Sequence, residues 1–233
     1  MNVQKVGIIA SIPEELNEFA RVIKNNKWDD KEVFLDIGGV GKASAAVVTQ
    51  KMISEQNPDL IIYVGGVGAL SEEMELGDLV VVSRAIDAEM DASAFDNTLR
   101  AGEYPFTRKR IFSTSENLFN IAIDAPLGTK IHEGYAATVS TFMDSTKKRI
   151  FSEEVGKRLE IETKGKSIRP NIVDMESIGF LTATEQSRIP NLMIRCVAND
   201  FKGDVPRDYQ EFLRHGIDKY IALVGYLLTQ LKN

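Results

Sequence analysis

A single cysteine, Cys196, leaves this 233-residue chain without an internal disulfide or a cysteine-built metal centre, and fits a reducing compartment. Its apolar neighbours place it in the core. Two histidines, His132 and His215, give a Ser-His-Asp triad or a histidine-rich metal site little material, so both are read as structural. Positive charge is short as well, 28 lysines and arginines against 34 acids leaving a formal net charge of -6. Nucleic acid and anionic membrane both demand a basic face, and neither is expected as a partner. The triplets Arg108-Lys109-Arg110 and Lys147-Lys148-Arg149 read as solvated edges. No apolar run approaches a bilayer span: Tyr220 to Leu228 reads as a core helix face, and the strand after Met1 is too short for a signal segment. A cytoplasmic protein is the expectation.

What the chain does have is a core. Hydrophobic residues make up 43% and charged residues 27%, in a length that suits one large domain spanning 1–233. Apolar runs at Val6 to Ala10, Val33 to Ile37, Leu60 to Val64, Leu79 to Ile86, Ile131 to Val139 and Leu192 to Val197 predict strands. Helices are expected from Pro13 to about Lys24, from Gly41 to about Ser54 and from about Arg207 to Leu231. Continuously apolar strands alternating with helices predict an α/β three-layer sandwich around a mixed, mostly parallel sheet. Asp87 to Arg108 and Asp144 to Arg169 read as the long excursions.

Three places stand out chemically. In Ile172-Val173-Asp174-Met175-Glu176-Ser177 a short strand runs straight into a helix with two carboxylates at the break. Such a pair can simply cap the helix, or it can meet substrate hydroxyls or positive charge at the end of a strand. Gly38-Gly39-Val40-Gly41 and Gly65-Gly66-Val67-Gly68 each follow a strand and allow close backbone approach to a ligand, but neither is a dinucleotide or Walker fingerprint. Tight turns account for them equally well.

Together with their surroundings these segments form an ordered set. Val6-Gly7-Ile8-Ile9-Ala10 with Glu15, Gly39-Val40-Gly41-Lys42-Ala43, the Gly65 turn, Gly77-Asp78-Leu79-Val80-Val81, Asp91-Ala92-Ser93-Ala94-Phe95, Asp174-Met175-Glu176 and Arg195-Cys196-Val197-Ala198-Asn199 follow one another in this order. In that order they resemble the signature of the nucleoside phosphorylase and nucleosidase superfamily, most of all the 5'-methylthioadenosine/S-adenosylhomocysteine nucleosidases. The resemblance implies cleavage of an N-ribosidic bond in a small-molecule nucleoside, no metal or organic cofactor, and a homodimer. It matches Glu15 to the glutamate that polarises water, Glu176 to the glutamate that binds ribose hydroxyls, and Met175 to a residue packing on the sugar, with Asp174 beside them. Arg195 would orient Glu15 or the water. Phe142 would stack on the purine, Met143 would offer backbone hydrogen bonds, and Tyr209 would sit near the 5' substituent. Ala92 and Phe95 would reach into the neighbouring subunit's pocket.

Hydrolysis is favoured over phosphorolysis, because Tyr63 stands where phosphorylases tend to carry a phosphate-binding arginine before the glycines, so phosphate has no obvious clamp. Two departures matter. Gly66 replaces a serine usual in both groups, and Asn199 aligns with the aspartate that protonates purine N7. An amide supplies no proton, yet it can donate to N7 and accept from an adenine amino group, or take the reverse polarity against a 6-oxopurine. Asp200 lies one residue away and is the alternative acid. Adenine nucleosides come first as substrates. Futalosine-type 6-oxopurine nucleosides, a phosphorolytic enzyme and a nucleoside-binding sensor without turnover are the alternatives.

Overall fold

The computed structural model describes residues 3–24, 27–163, 165–202 and 205–231. Its first strand, β1 (Lys5–Ala10), leads through Pro13 into two single helical turns, α1 (Pro13–Leu16) and α2 (Phe19–Val22). The continuous helix expected to Lys24 does not form: Ile23 is extended, and Lys24 pairs with Lys27 in an isolated bridge. Next come β2 (Lys27–Trp28), β3 (Lys31–Ile37), α3 (Lys42–Gln56), β4 (Leu60–Ala69), β5 (Leu79–Asp87), β6 (Phe112–Ser113), α4 (Glu116–Ile123) and β7 (Ile131–Thr138). After α5 (Ser145–Glu154) the chain makes a short 3-10 turn, then the hairpin β8 (Ile161–Thr163) and β9 (Lys166–Ile168). The segment expected as a loop from Asp144 to Arg169 is therefore largely ordered. The last elements are β10 (Ile172–Asp174), α6 (Ser177–Ser187), β11 (Asn191–Asn199), α7 (Val205–His215) and α8 (Ile217–Gln230), so the long C-terminal helix is two, broken at Gly216.

Among the described residues, nine strands form one sheet in the order β10-β7-β5-β11-β4-β1-β3-β2, with β6 on the side of β5. Its long pairings are parallel except where β11 meets β5. Alternation along the strands sends side chains to opposite faces. Ile8, Ile62 and Ile194 pack on one side against α4 and α8, while Ile61, Val80 and Met193 pack on the other against α3 and α6. That is the expected three-layer sandwich. No helix among the described residues is long and apolar enough to cross a membrane.

One departure shapes the site. The glycines Gly65 to Gly68 do not close β4 with a turn; the strand runs straight through them to Ala69. Its far end pairs antiparallel with β10, Val173 opposite Gly68 and Ile172 opposite Ala69, while β10 also runs parallel to β7. Strands β4, β11, β5, β7 and β10 thus close into a ring. The loop at 88–111 is tied to this frame by Arg110, which is buried, not solvated, and donates to the carbonyls of Ala101, Arg158 and Glu160.

Candidate active site

Residues at or just past the carboxyl ends of β1, β3, β4, β7, β10 and β11 line a cleft with about 680 Å³ of empty volume, part of it open to solvent. Strand ends of this kind are where α/β sheets bind ligands. Glu15 lies at its floor, 4% exposed. One carboxylate oxygen accepts from the Gly66 N–H at 2.9 Å, the other from Ser11 and Ile12 N–H at 3.1 and 3.3 Å. Burial raises its pKa above the ordinary carboxylate range, against the opposing pull of the Gly66 hydrogen bond, Arg195 and the other amides. Gly65 makes room for this: its φ is +143°, and a Cβ there would fall 2.7 Å from Glu15 Oε1.

Asp174 and Glu176 divide the tasks left open at the strand break. Asp174 accepts from the Ser177 N–H, the Thr138 hydroxyl and Arg195 Nη2, the last at 3.0 Å, so it both caps α6 and anchors the arginine. Glu176 makes no cap. Its Oε1 accepts from Gly41 N–H at 3.1 Å and its Oε2 lies 3.5 Å from Arg195. The Gly41 loop reaches it because α3 and α6 touch backbone to backbone, a Cβ at Gly179 falling 1.9 Å from Lys42 O. Arg195 is wholly buried, lies 4.8 Å from the Tyr63 ring centroid, and bonds these two carboxylates, not Glu15, on which it acts through its field.

Glu176 is thereby held well above the ordinary carboxylate range by burial, Arg195 opposing and Asp174 adding to the rise. In the unfolded chain the same group ionises at lower pH. Stability from the protonated form is present at low pH and lost as pH rises through the folded value. Glu176→Gln should therefore unfold at a higher temperature than the parent at pH 8, with a smaller difference at pH 5. A lower unfolding temperature at pH 8 would overturn that assignment.

Phe142, Met143 and Asn199 also line the cleft, as do Met175 and Tyr209. Phe142 is 56% exposed and belongs to the cleft, not the core. Register explains Asn199: β11 bulges between Val197 and Asn199, so that Asn199 pairs with Gly68 and both Ala198 and Asn199 face the cleft. Asp200 is outside the cleft lining, its carboxylate accepting from Lys202 N–H. Asn199 gives an amide hydrogen to Met143 O and accepts from Lys148 Nζ. Lys148 was read as a solvated edge, yet it is 0% exposed. Helical spacing carried the signal, since Lys148 shares the inward face of α5 with Phe151 three residues on. Ala92 and Phe95 lie outside the cleft of their own chain, Phe95 being 71% exposed and edge-to-face with Phe106.

A sequence model of the phosphorylase superfamily matches residues 5–229. The chain belongs to the phosphorylase superfamily. Among superfamily members, the 5'-methylthioadenosine/S-adenosylhomocysteine nucleosidase of Staphylococcus haemolyticus is 27% identical, the match covering 97% of this chain and all of the relative. The corresponding nucleosidase of Colwellia psychrerythraea, solved with adenine, superposes with a TM-score of 0.85 at 21% identity over 99% of this chain and 96% of that one. A futalosine hydrolase mutant of Helicobacter pylori superposes with a TM-score of 0.83 at 19% identity over 98% and 100%. Both structures share the superfamily fold. Within it, this chain has no room for a serine at Gly66, where a Cβ would lie 2.7 Å from that of Ala198.

Proposed function

We propose that this protein hydrolyses the N-ribosidic bond of purine nucleosides, 5'-methylthioadenosine and S-adenosylhomocysteine first among them, and releases the free base. The observation that carries this reading is Glu15, a buried carboxylate held by three backbone N–H groups in a cleft whose described lining includes no lysine or arginine. Its raised pKa makes it a stronger base toward water than an ordinary carboxylate. The sugar end gathers three carboxylates, Glu15, Asp174 and Glu176, around one guanidinium. That excess of negative charge favours a sugar turning oxocarbenium-like.

In this scheme Glu176 binds the ribose hydroxyls, Met175 packs on the sugar, and Asp174 keeps Arg195 in place. Phe142 stacks on the purine, Met143 and Asn199 hold its edge, and Tyr209 borders the 5' substituent. Two copies form a homodimer in which Ala92 and Phe95 reach across to the other cleft. A second reading, hydrolysis of 6-oxopurine nucleosides, is favoured by Asn199: with no acid there the base departs as an anion, and an exocyclic oxygen spreads that charge.

Free base measured from methylthioadenosine, adenosylhomocysteine, adenosine, inosine and futalosine, with and without phosphate, tests both readings. Base release in phosphate-free buffer is expected. Release only with phosphate, with ribose 1-phosphate as product, overturns hydrolysis, and tight binding of a thioadenosine analogue with no release points to a nucleoside sensor.

A further inference from the structure

Lys148 is the one fully buried cation beside the base end of the cleft among the described residues, and the scheme above leaves it without a task. Its Nζ donates to three carbonyl oxygens: Asn199 O at 2.8 Å, Asp200 O at 2.6 Å, and the side-chain oxygen of Asn199. An ammonium has three N–H donors and no acceptor, so the three partners match its charged form; a neutral amine leaves one unmatched. Its stem runs past Gly68, where a Cβ would lie 3.0 Å from Lys148 Cε. The polarity of the Asn199 amide follows. The oxygen must face the lysine and the nitrogen must face Met143 O, because the reverse sets donor against donor and acceptor against acceptor.

We propose that Lys148 is a positioning residue for the leaving base: it locks the Asn199 carboxamide with an N–H toward the purine and polarises that N–H as the base becomes anionic. This inference rests on the nucleoside hydrolase reading. As the C1'–N9 bond breaks, its electron pair passes to the base, and water bonds to C1' while giving a proton to Glu15. The base takes its own proton from solvent, and Glu15 returns its proton there, so one water is consumed. Donation from Asn199 to N7 strengthens as that charge grows, and an ammonium on the amide oxygen strengthens it further.

Burial lowers the pKa of Lys148 to about 8, against the carboxylates of Asp144 on its own helix, Asp200 past β11 and Asp208 on α7. The charged form therefore dominates below about pH 8 and gives way to the neutral amine above it. Turnover should hold a plateau below that value, ended on the acid side by protonation of Glu15, and fall beyond it toward the level of Lys148→Met. Lys148→Met should lower kcat about 10²-fold at pH 7, leave KM within about threefold, and erase the alkaline limb. Lys148→Arg should restore kcat to within about tenfold and carry the limb upward. Because the lysine acts through the amide, Lys148→Met added to Asn199→Ala should cost nothing more. An alkaline limb unmoved in Lys148→Met, or additive losses in the double variant, overturns the proposal.

The lock is also read without activity. The side-chain amide signals of Asn199 in nitrogen-15 NMR should titrate near pH 8 in the parent and lie flat in Lys148→Arg. Signals indifferent to pH in the parent overturn the lock. A protein that hydrolyses no nucleoside while its Asn199 amide titrates overturns the hydrolase reading instead.

Discussion

Glu15→Gln is expected to lower nucleoside turnover by about 10³-fold or more, a barrier increase of about 4 kcal/mol. Glutamine keeps the length and shape of the side chain but accepts no proton from water, and it removes one of the charges that face the sugar. Its effect on stability is smaller and of mixed sign. Both carboxylate oxygens of Glu15 accept backbone N–H groups, so the amide nitrogen must oppose either Gly66 or the Ser11-Ile12 pair, at about 1–3 kcal/mol. Against this, the neutral side chain escapes the burial penalty that raises the carboxyl pKa. Glu15→Asp restores the charge yet withdraws it by one methylene, and a displacement of that size costs about 10²-fold. Steady-state kinetics with urea unfolding separate the two effects. A glutamine variant within tenfold of the parent rate would remove Glu15 from the chemistry.

Arg195→Met should be the most damaging single change to stability. The guanidinium is wholly buried and joins Asp174 and Glu176, themselves buried, so methionine strands two carboxylates of like charge. Breaking such a pair from one side costs about 3–5 kcal/mol. Because the stranded Glu176, whose pKa is already raised by burial, can protonate, the loss should be larger at pH 8 than at pH 5, where its protonation relieves the repulsion. Arg195→Lys keeps the charge, but Nη2 alone reaches both acids and an ammonium on a differently shaped stem does not reproduce its position, so an intermediate loss follows. Urea unfolding at the two pH values measures it. A loss below about 1 kcal/mol at pH 8, or one independent of pH, would show that the carboxylates find other partners.

Strand order apart, much of the architecture was legible because it follows from local chemistry. Val6 to Ala10 and Leu192 to Val197 are apolar on both sides, and only a sheet covered on both faces buries them. Helix lengths were less legible. The break at Gly216 and the split after Leu16 depend on what the turns pack against, which spacing does not record. Lys148 is a different case: within Lys147-Lys148-Arg149 the residues are alike in chemistry, and only the helical spacing to Phe151 distinguishes the one that faces inward.

For the site, it was the ordered resemblance that singled out Glu15, Glu176, Arg195 and Asn199 as expectations; taken alone, Glu15 is an ordinary first-turn acid and the acids at the strand break could simply cap a helix. Tertiary structure alone decided how they are joined. Closure of β4 onto β10 turned a run of glycines from a turn into a wall of the cleft, and a one-residue bulge in β11 aimed Asn199 inward while leaving Asp200 outside. Side-chain direction in a strand alternates with every residue, so a bulge of one residue reverses it. Such a reversal comes from pairing between strands distant in sequence, and no local pattern carries it.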